Sequence, residues 1–130
     1  MRLLCVVGIL VTTGAWAGIC PAPTIKAHAL TGMICFESGS QCSPIPGARV
    51  QLLETSGVEV TATTADGKGK FRIDAPRSGR FTLKISAEGF HAVEGSLIAG
   101  KKGKRAERAL QVTMGSDAIL PCGGSRITLK

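Results

Sequence analysis

The run Arg80-Phe81-Thr82-Leu83-Lys84-Ile85-Ser86 alternates large apolar and polar side chains without a slip. Successive residues of a strand point to opposite faces, so a period of two describes a sheet with one buried and one wet side. An amphipathic helix is excluded there, because its apolar positions recur every three or four residues. The same period returns along the chain. AHALTGMICFE (27–37) puts Leu30, Gly32, Ile34 and Phe36 on one face, and ARVQLLE (48–54) sets Val50 and Leu52 against Arg49 and Gln51. VEVTAT (58–63) sets Val58, Val60 and Ala62 inward against Glu59, Thr61 and Thr63, and KFRID (70–74) pairs Phe71 with Ile73. RALQVTM (108–114) aligns Leu110, Val112 and Met114, and RITLK (126–130) adds a short last strand through Ile127 and Leu129. AVEGSLI (92–98) fits least well, because Gly95 interrupts it.

Turn chemistry falls between these runs. Pro44, Pro46 and Gly47 precede the second, Ser56-Gly57 joins the second to the third, and Asp66, Gly67 and Gly69 precede the fourth. Pro76, Ser78 and Gly79 precede the fifth, and Glu88-Gly89 follows it. Short strands with turns at this spacing predict an all-β sandwich.

The first 17 residues, MRLLCVVGILVTTGAWA, have one basic residue, an apolar run and small side chains at Ala15 and Ala17. This is the three-part form of a secretory leader, with cleavage expected after Ala17. The apolar stretch, roughly 14 residues, is short of the ~20 that a membrane span needs. Lipidation at Cys20 is disfavoured by Ile19, where a small residue is required. The chain therefore divides into a leader (1–17), an N-terminal segment (18–27) and one domain (28–130), exported to the periplasm or the extracellular space, with no membrane span after cleavage. Of the five cysteines, Cys5 departs with the leader, leaving Cys20, Cys35, Cys42 and Cys122. An even number in a small exported domain reads as disulfides, with three possible pairings. The competing reading, a zinc site, is disfavoured by the lack of a CxxC knuckle and by the spacing of His28 and His91, which is not that of a ligand pair.

The phrases PIPGARVQLLE, TTADGKGKFRID and SGRFTLKISAEGFH occur in that order. Together they resemble the carboxypeptidase regulatory-like domain. The opening is carried by Pro44, Gly47, Ala48 and Val50, the turn by Thr64, Asp66, Gly69 and Phe71, and the long strand by Gly79, Phe81, Leu83, Ile85, Ala87, Gly89 and Phe90. Leu30-Thr31-Gly32-Met33-Ile34 fits the opening strand of that family, so the similarity runs from about residue 28 to residue 98. It implies a seven-stranded Greek-key β-sandwich of the prealbumin, or transthyretin-like, type. In metallocarboxypeptidases such a domain accompanies the catalytic domain, and in bacteria it is often fused to outer-membrane or surface proteins. A stand-alone exported form is expected here. The peptidase HxxE motif is absent, so the family name implies no peptidase activity. The cysteines are departures from the family pattern. Cys35 and Cys42 flank the turn ESGSQC and are expected to pair, leaving Cys20 with Cys122.

Sequence features for catalysis are sparse. Only His28 and His91 offer an imidazole, both expected at the surface, and the acids are scattered. Asp66 in DGKGK lacks the acidic repeat of a calcium loop and the GKS or GKT of a phosphate loop, and reads as a turn. No cofactor or metal is expected. Sugar-binding sandwiches use exposed aromatic platforms, whereas this chain has no tyrosine and its single Trp16 lies in the leader. An isopeptide cross-link through Lys26 and Asp117 lies outside any recognisable motif. A transthyretin-related hydrolase would need paired histidines, an arginine and a serine-rich terminus, an arrangement missing here.

The one marked composition shift is GKKGKRAER (100–108), where Lys101, Lys102, Lys104, Arg105 and Arg108 concentrate positive charge. The whole chain carries a formal +7, one less once Arg2 departs. Such a patch attracts phosphate-bearing lipids, acidic glycans or acidic proteins, against the alternative of a merely solvating loop. Nucleic acid is not expected, since the aromatics of single-strand binders are missing. The expected function is a non-enzymatic exported domain that binds or scaffolds a protein or an anionic envelope component. A carbohydrate-binding or adhesin-like module is the alternative, and a small hydrolase a more distant one.

Overall fold

The computed structural model describes residues 23–100, 106–116 and 121–130. Residues 1–17, expected to form a leader, and Cys20, Asp117, Lys101, Lys102, Lys104 and Arg105 lie outside the described residues, and with them the expected Cys20–Cys122 bridge. The elements are β1 (Thr24–Lys26), β2 (Ala29–Ser38), β3 (Gln41–Pro44), β4 (Arg49–Leu53), β5 (Glu59–Thr64), β6 (Lys70–Asp74), β7 (Gly79–Ser86), β8 (Val93–Ala99), β9 (Glu107–Met114), a 3-10 turn at Pro121–Gly124, and β10 (Arg126–Leu129). The first sheet has the order β1-β8-β7-β4-β5. In the second, β10, β9 and β2 lie side by side, and β2 shares its other edge between β6 (at 29–33) and β3 (at 35–38). The chain passes repeatedly from one sheet to the other, which is the Greek-key sandwich the resemblance implies.

Among the described residues there are ten strands: the eight runs read from the sequence, one more than the seven the resemblance implies, and two others. The two that escaped the periodicity are short. In β1 only Ile25 is buried, so three residues carry no period, and the strand adds in parallel to β8. β3 contains Pro44 and has no buried residue. It is an edge strand, where a missing N–H breaks no interior ladder.

Side chains from the facing sheets meet in one core. Leu30 and Ile34, Val50 and Leu52, Phe71 and Ile73, the Phe81-Leu83-Ile85 row, Val93 and Leu97, and the Leu110-Val112-Met114 row are all buried there. The weakly patterned β8 is explained by its neighbour. The Ser96 N–H donates to the Pro23 carbonyl at 2.8 Å, and a Cβ on Gly95 would lie 3.1 Å from that oxygen. Glycine there lets β1 cross close by.

One phase assignment is corrected. Thr61 pairs with Leu52 and Thr63 with Val50, so the threonines share the inner face, while Ala62 lies with Gln51 on the wet one. The cause is a β-bulge at Leu52/Leu53, with Val60 as the extra residue. Val60 packs against the core, whereas Val58 is 60% exposed. A bulge shifts the side-chain phase by one, so alternation read across it assigns the wrong faces.

The Asp66 turn carries the chain from β5 across to β6. Its carboxylate accepts the N–H groups of Lys68 and Lys70, each at 2.9 Å. These bonds, that from Lys70 foremost, hold the carboxyl below its ordinary pKa. A carboxyl depressed in the folded state stabilises above its unfolded pKa and loses that contribution as pH falls through the folded one. Glu59 is depressed in the same sense by Gln51 and Arg49. Melting temperature is therefore expected to fall with pH below about 4, and Asp66→Asn to flatten that slope while Glu59 preserves a remainder. Melts recorded across a pH series, wild type against variant, check this.

Candidate functional site

Charge and chemistry gather on the outer face of the first sheet, at one end of β8. In register, Lys26 on β1 lies beside Ile98 on β8, and Ile98 lies opposite Arg80 on β7. The next row of the same face is Thr24, Ser96 and Thr82. Lys26 and Arg80 are exposed, Ile98 is half-buried between them, and neither cation has an acidic partner among the described residues. Below this row lies a groove of about 210 Å³ lined by Lys26, Ala27, Ile98, Gly100 and Ala106.

The basic segment is rooted here. It leaves β8 after Ala99, which pairs with Gly79, and returns at Ala106. The Ala106 carbonyl accepts the N–H groups of His28 at 2.7 Å and Ala29 at 3.3 Å. Arg108 is exposed, because it continues the inward row of β9 past the point where that row leaves the core.

A second cleft, of about 350 Å³, is lined by His28, Ala29, Arg72, Asp74, Ala106 and Glu107. Arg72 is tied to Glu107 at 3.1 Å and Asp74 at 3.2 Å, and the Glu107 hydrogen bond raises its pKa further. His28, expected at the surface, is half-buried, and its Nδ1 is shielded without a hydrogen-bond partner among the described residues. Among the described residues no three His, Cys, Asp or Glu side chains converge on a metal position.

Ser125 is a residue that sequence reasoning missed. Its hydroxyl is buried, donates to the His91 carbonyl at 2.6 Å and accepts the Gly115 N–H at 2.9 Å. It meets His91 through the main chain rather than the imidazole. The hydroxyl therefore ties the approach to β8 to the end of β9, and is not set up as a nucleophile beside a base.

Cys35 and Cys42 are joined as a disulfide, with Cα atoms 5.4 Å apart. Cys35 is fully buried on the outer side of β2, under the Gln111 amide, which lies 3.1 Å from its Sγ. Cys42 sits on the exposed edge strand β3, so the bridge fastens that strand to the sheet. Cys42→Ser is expected to cost about 2–3 kcal/mol by the loop-entropy estimate for so short a ring. Denaturant unfolding checks this, with reductant lowering wild type to the level of the variant.

Compared with known families, residues 29–115 match the carboxypeptidase regulatory-like domain. The chain belongs to that family. Its motifs now have structural roles. Gly47 and Ala48 trade backbone hydrogen bonds with Ala65, the Gly47 N–H at 3.0 Å and the Ala48 carbonyl at 2.8 Å, clasping the outer end of the β4–β5 hairpin. Gly69 has φ +75°, and its carbonyl accepts the Ile34 N–H at 2.7 Å, locking the Asp66 turn onto β2. No curated protein matches the chain. Among solved structures, the 3-chlorocatechol 1,2-dioxygenase from Rhodococcus opacus 1CP superposes with a TM-score of 0.45 at 12% identity, over 85% of this chain and 70% of that one.

Proposed function

We propose that this regulatory-like sandwich is an exported, non-catalytic binding module that holds an anionic partner of the cell envelope through the basic segment between β8 and β9. The observation that carries this reading is the anchoring of that segment. Five residues, four of them Lys or Arg, separate Gly100 from Ala106, both at the rim of one groove. Like charges so close in sequence reinforce one another's field. Export is supported by the leader-like first 17 residues and by the Cys35–Cys42 bridge. A non-catalytic role is supported by membership of the carboxypeptidase regulatory-like family, in which such a domain accompanies a separate catalytic domain.

Sugar recognition is less well served. Phe71 and Phe81 are buried, and Phe36 and Phe90 are half-buried and packed on each other, with ring centroids 5.7 Å apart. The test is retention of the purified protein on an anionic matrix. Replacing Lys101, Lys102, Lys104 and Arg105 together by Ser is expected to shift elution to much lower salt. Elution unchanged by the quadruple substitution would refute the role of the segment.

A further inference from the structure

We infer that the Lys26–Ile98–Arg80 row is a docking face for phosphate-bearing lipid at a membrane surface; this rests on the binding role proposed above. The row crosses three strands, so Lys26 and Arg80 stand about 10 Å apart, two strand spacings, on either side of Ile98. Their side chains rise from one face, and their charges are unopposed among the described residues. Behind them the hydroxyls of Thr24, Ser96 and Thr82 form a second row that can donate to phosphate oxygens.

The charge on this face is graded along its length. At the far end of β8, Glu94 lies opposite Lys84, so an acid offsets the cation there. Further along the face, Arg49 is paired with Glu59 at 2.9 Å. At the Ala99 end no acid among the described residues faces Lys26 or Arg80. Attraction is thereby concentrated on one end of one face.

Charge complementarity calls for an anion, and the surroundings favour lipid over an acidic polysaccharide. Among the described residues the face carries no aromatic ring on which a sugar could stack. It offers instead the half-buried Ile98 and the groove walled by Ala27 and Ala106, apolar surface beside the cations. Cations flanking apolar surface suit the boundary between phosphate headgroups and acyl chains.

The experiment is cosedimentation of the purified protein with vesicles of phosphatidylglycerol and phosphatidylcholine, compared with phosphatidylcholine alone. Lys26→Ser with Arg80→Ser is expected to weaken binding to the anionic vesicles roughly tenfold to thirtyfold, at about one kcal/mol per surface cation. Lys84→Ser with Lys70→Ser removes the same charge elsewhere and is expected to change binding less than threefold. Equal losses in the two double variants would show that net charge alone acts, and would overturn the face. So would wild-type binding by the Lys26/Arg80 variant, even where the basic-segment variant fails to bind. Retention on an acidic polysaccharide without vesicle binding would overturn lipid as the ligand yet leave the binding role standing. No retention on either would remove both.

Discussion

Gly32→Ala is expected to unfold this domain at ordinary temperature or bring it close to unfolding. Gly32 lies in the middle of β2, where a Cβ would sit 2.5 Å from the Leu110 carbonyl oxygen and 2.9 Å from a ring carbon of Phe71. Neither neighbour can give way cheaply. The carbonyl belongs to β9, held to β2 by an eight-residue parallel register, and the Phe71 ring is buried in the core. The reason for glycine here is contact, not backbone angle, so the cost comes from separating two strands or expelling a ring. Overpacking of this kind costs about 3 kcal/mol or more. For a domain of this size that lowers the melting temperature by more than about 10 °C. A thermal melt followed by circular dichroism reads it. A shift of only a degree or two would show that β2 and β9 separate freely, against the register described.

The second large effect is expected at Phe81. Its ring is 1% exposed, at the start of the inward row of β7, with the Arg77 guanidinium 5.0 Å from the ring centre. Phe81→Ala removes the largest fully buried side chain and is expected to cost about 3–5 kcal/mol. Arg77→Ala should cost less than about 1 kcal/mol, because that guanidinium is half exposed and already shared with Glu54. Phe90 supplies the contrast. It is only half-buried against Phe36, so Phe90→Ala is expected to cost well under half as much. Urea denaturation of the three variants orders them. Equal losses at Phe81 and Phe90 would contradict the placement of the core.

The inward residues of β2, β4, β6, β7 and β9 were legible from alternation alone, because each strand keeps its phase from end to end. The motif glycines and Asp66 were legible as turn formers for a local reason, since their hydrogen bonds and angles involve near neighbours in sequence. β1 and β3 were not, being too short to show a period. The faces of β5 were misread because its bulge is defined by the pairing with β4. The candidate site was half legible. The cations of the basic segment stand together in the sequence, but Lys26 and Arg80 are 54 positions apart and become neighbours only across β8. Ser125 carried no signal at all, since its three-way tie joins segments distant in the chain.

What this chain determines on its own is the β period, the punctuation of its turns and the family those phrases spell out, all of which depend on residues within a few positions of one another. Which strands pair, which glycine is compressed between β9 and Phe71, and which two cations flank Ile98 were decided by tertiary structure. Strand register joins residues that are remote along the chain, and no local pattern encodes which of them will meet.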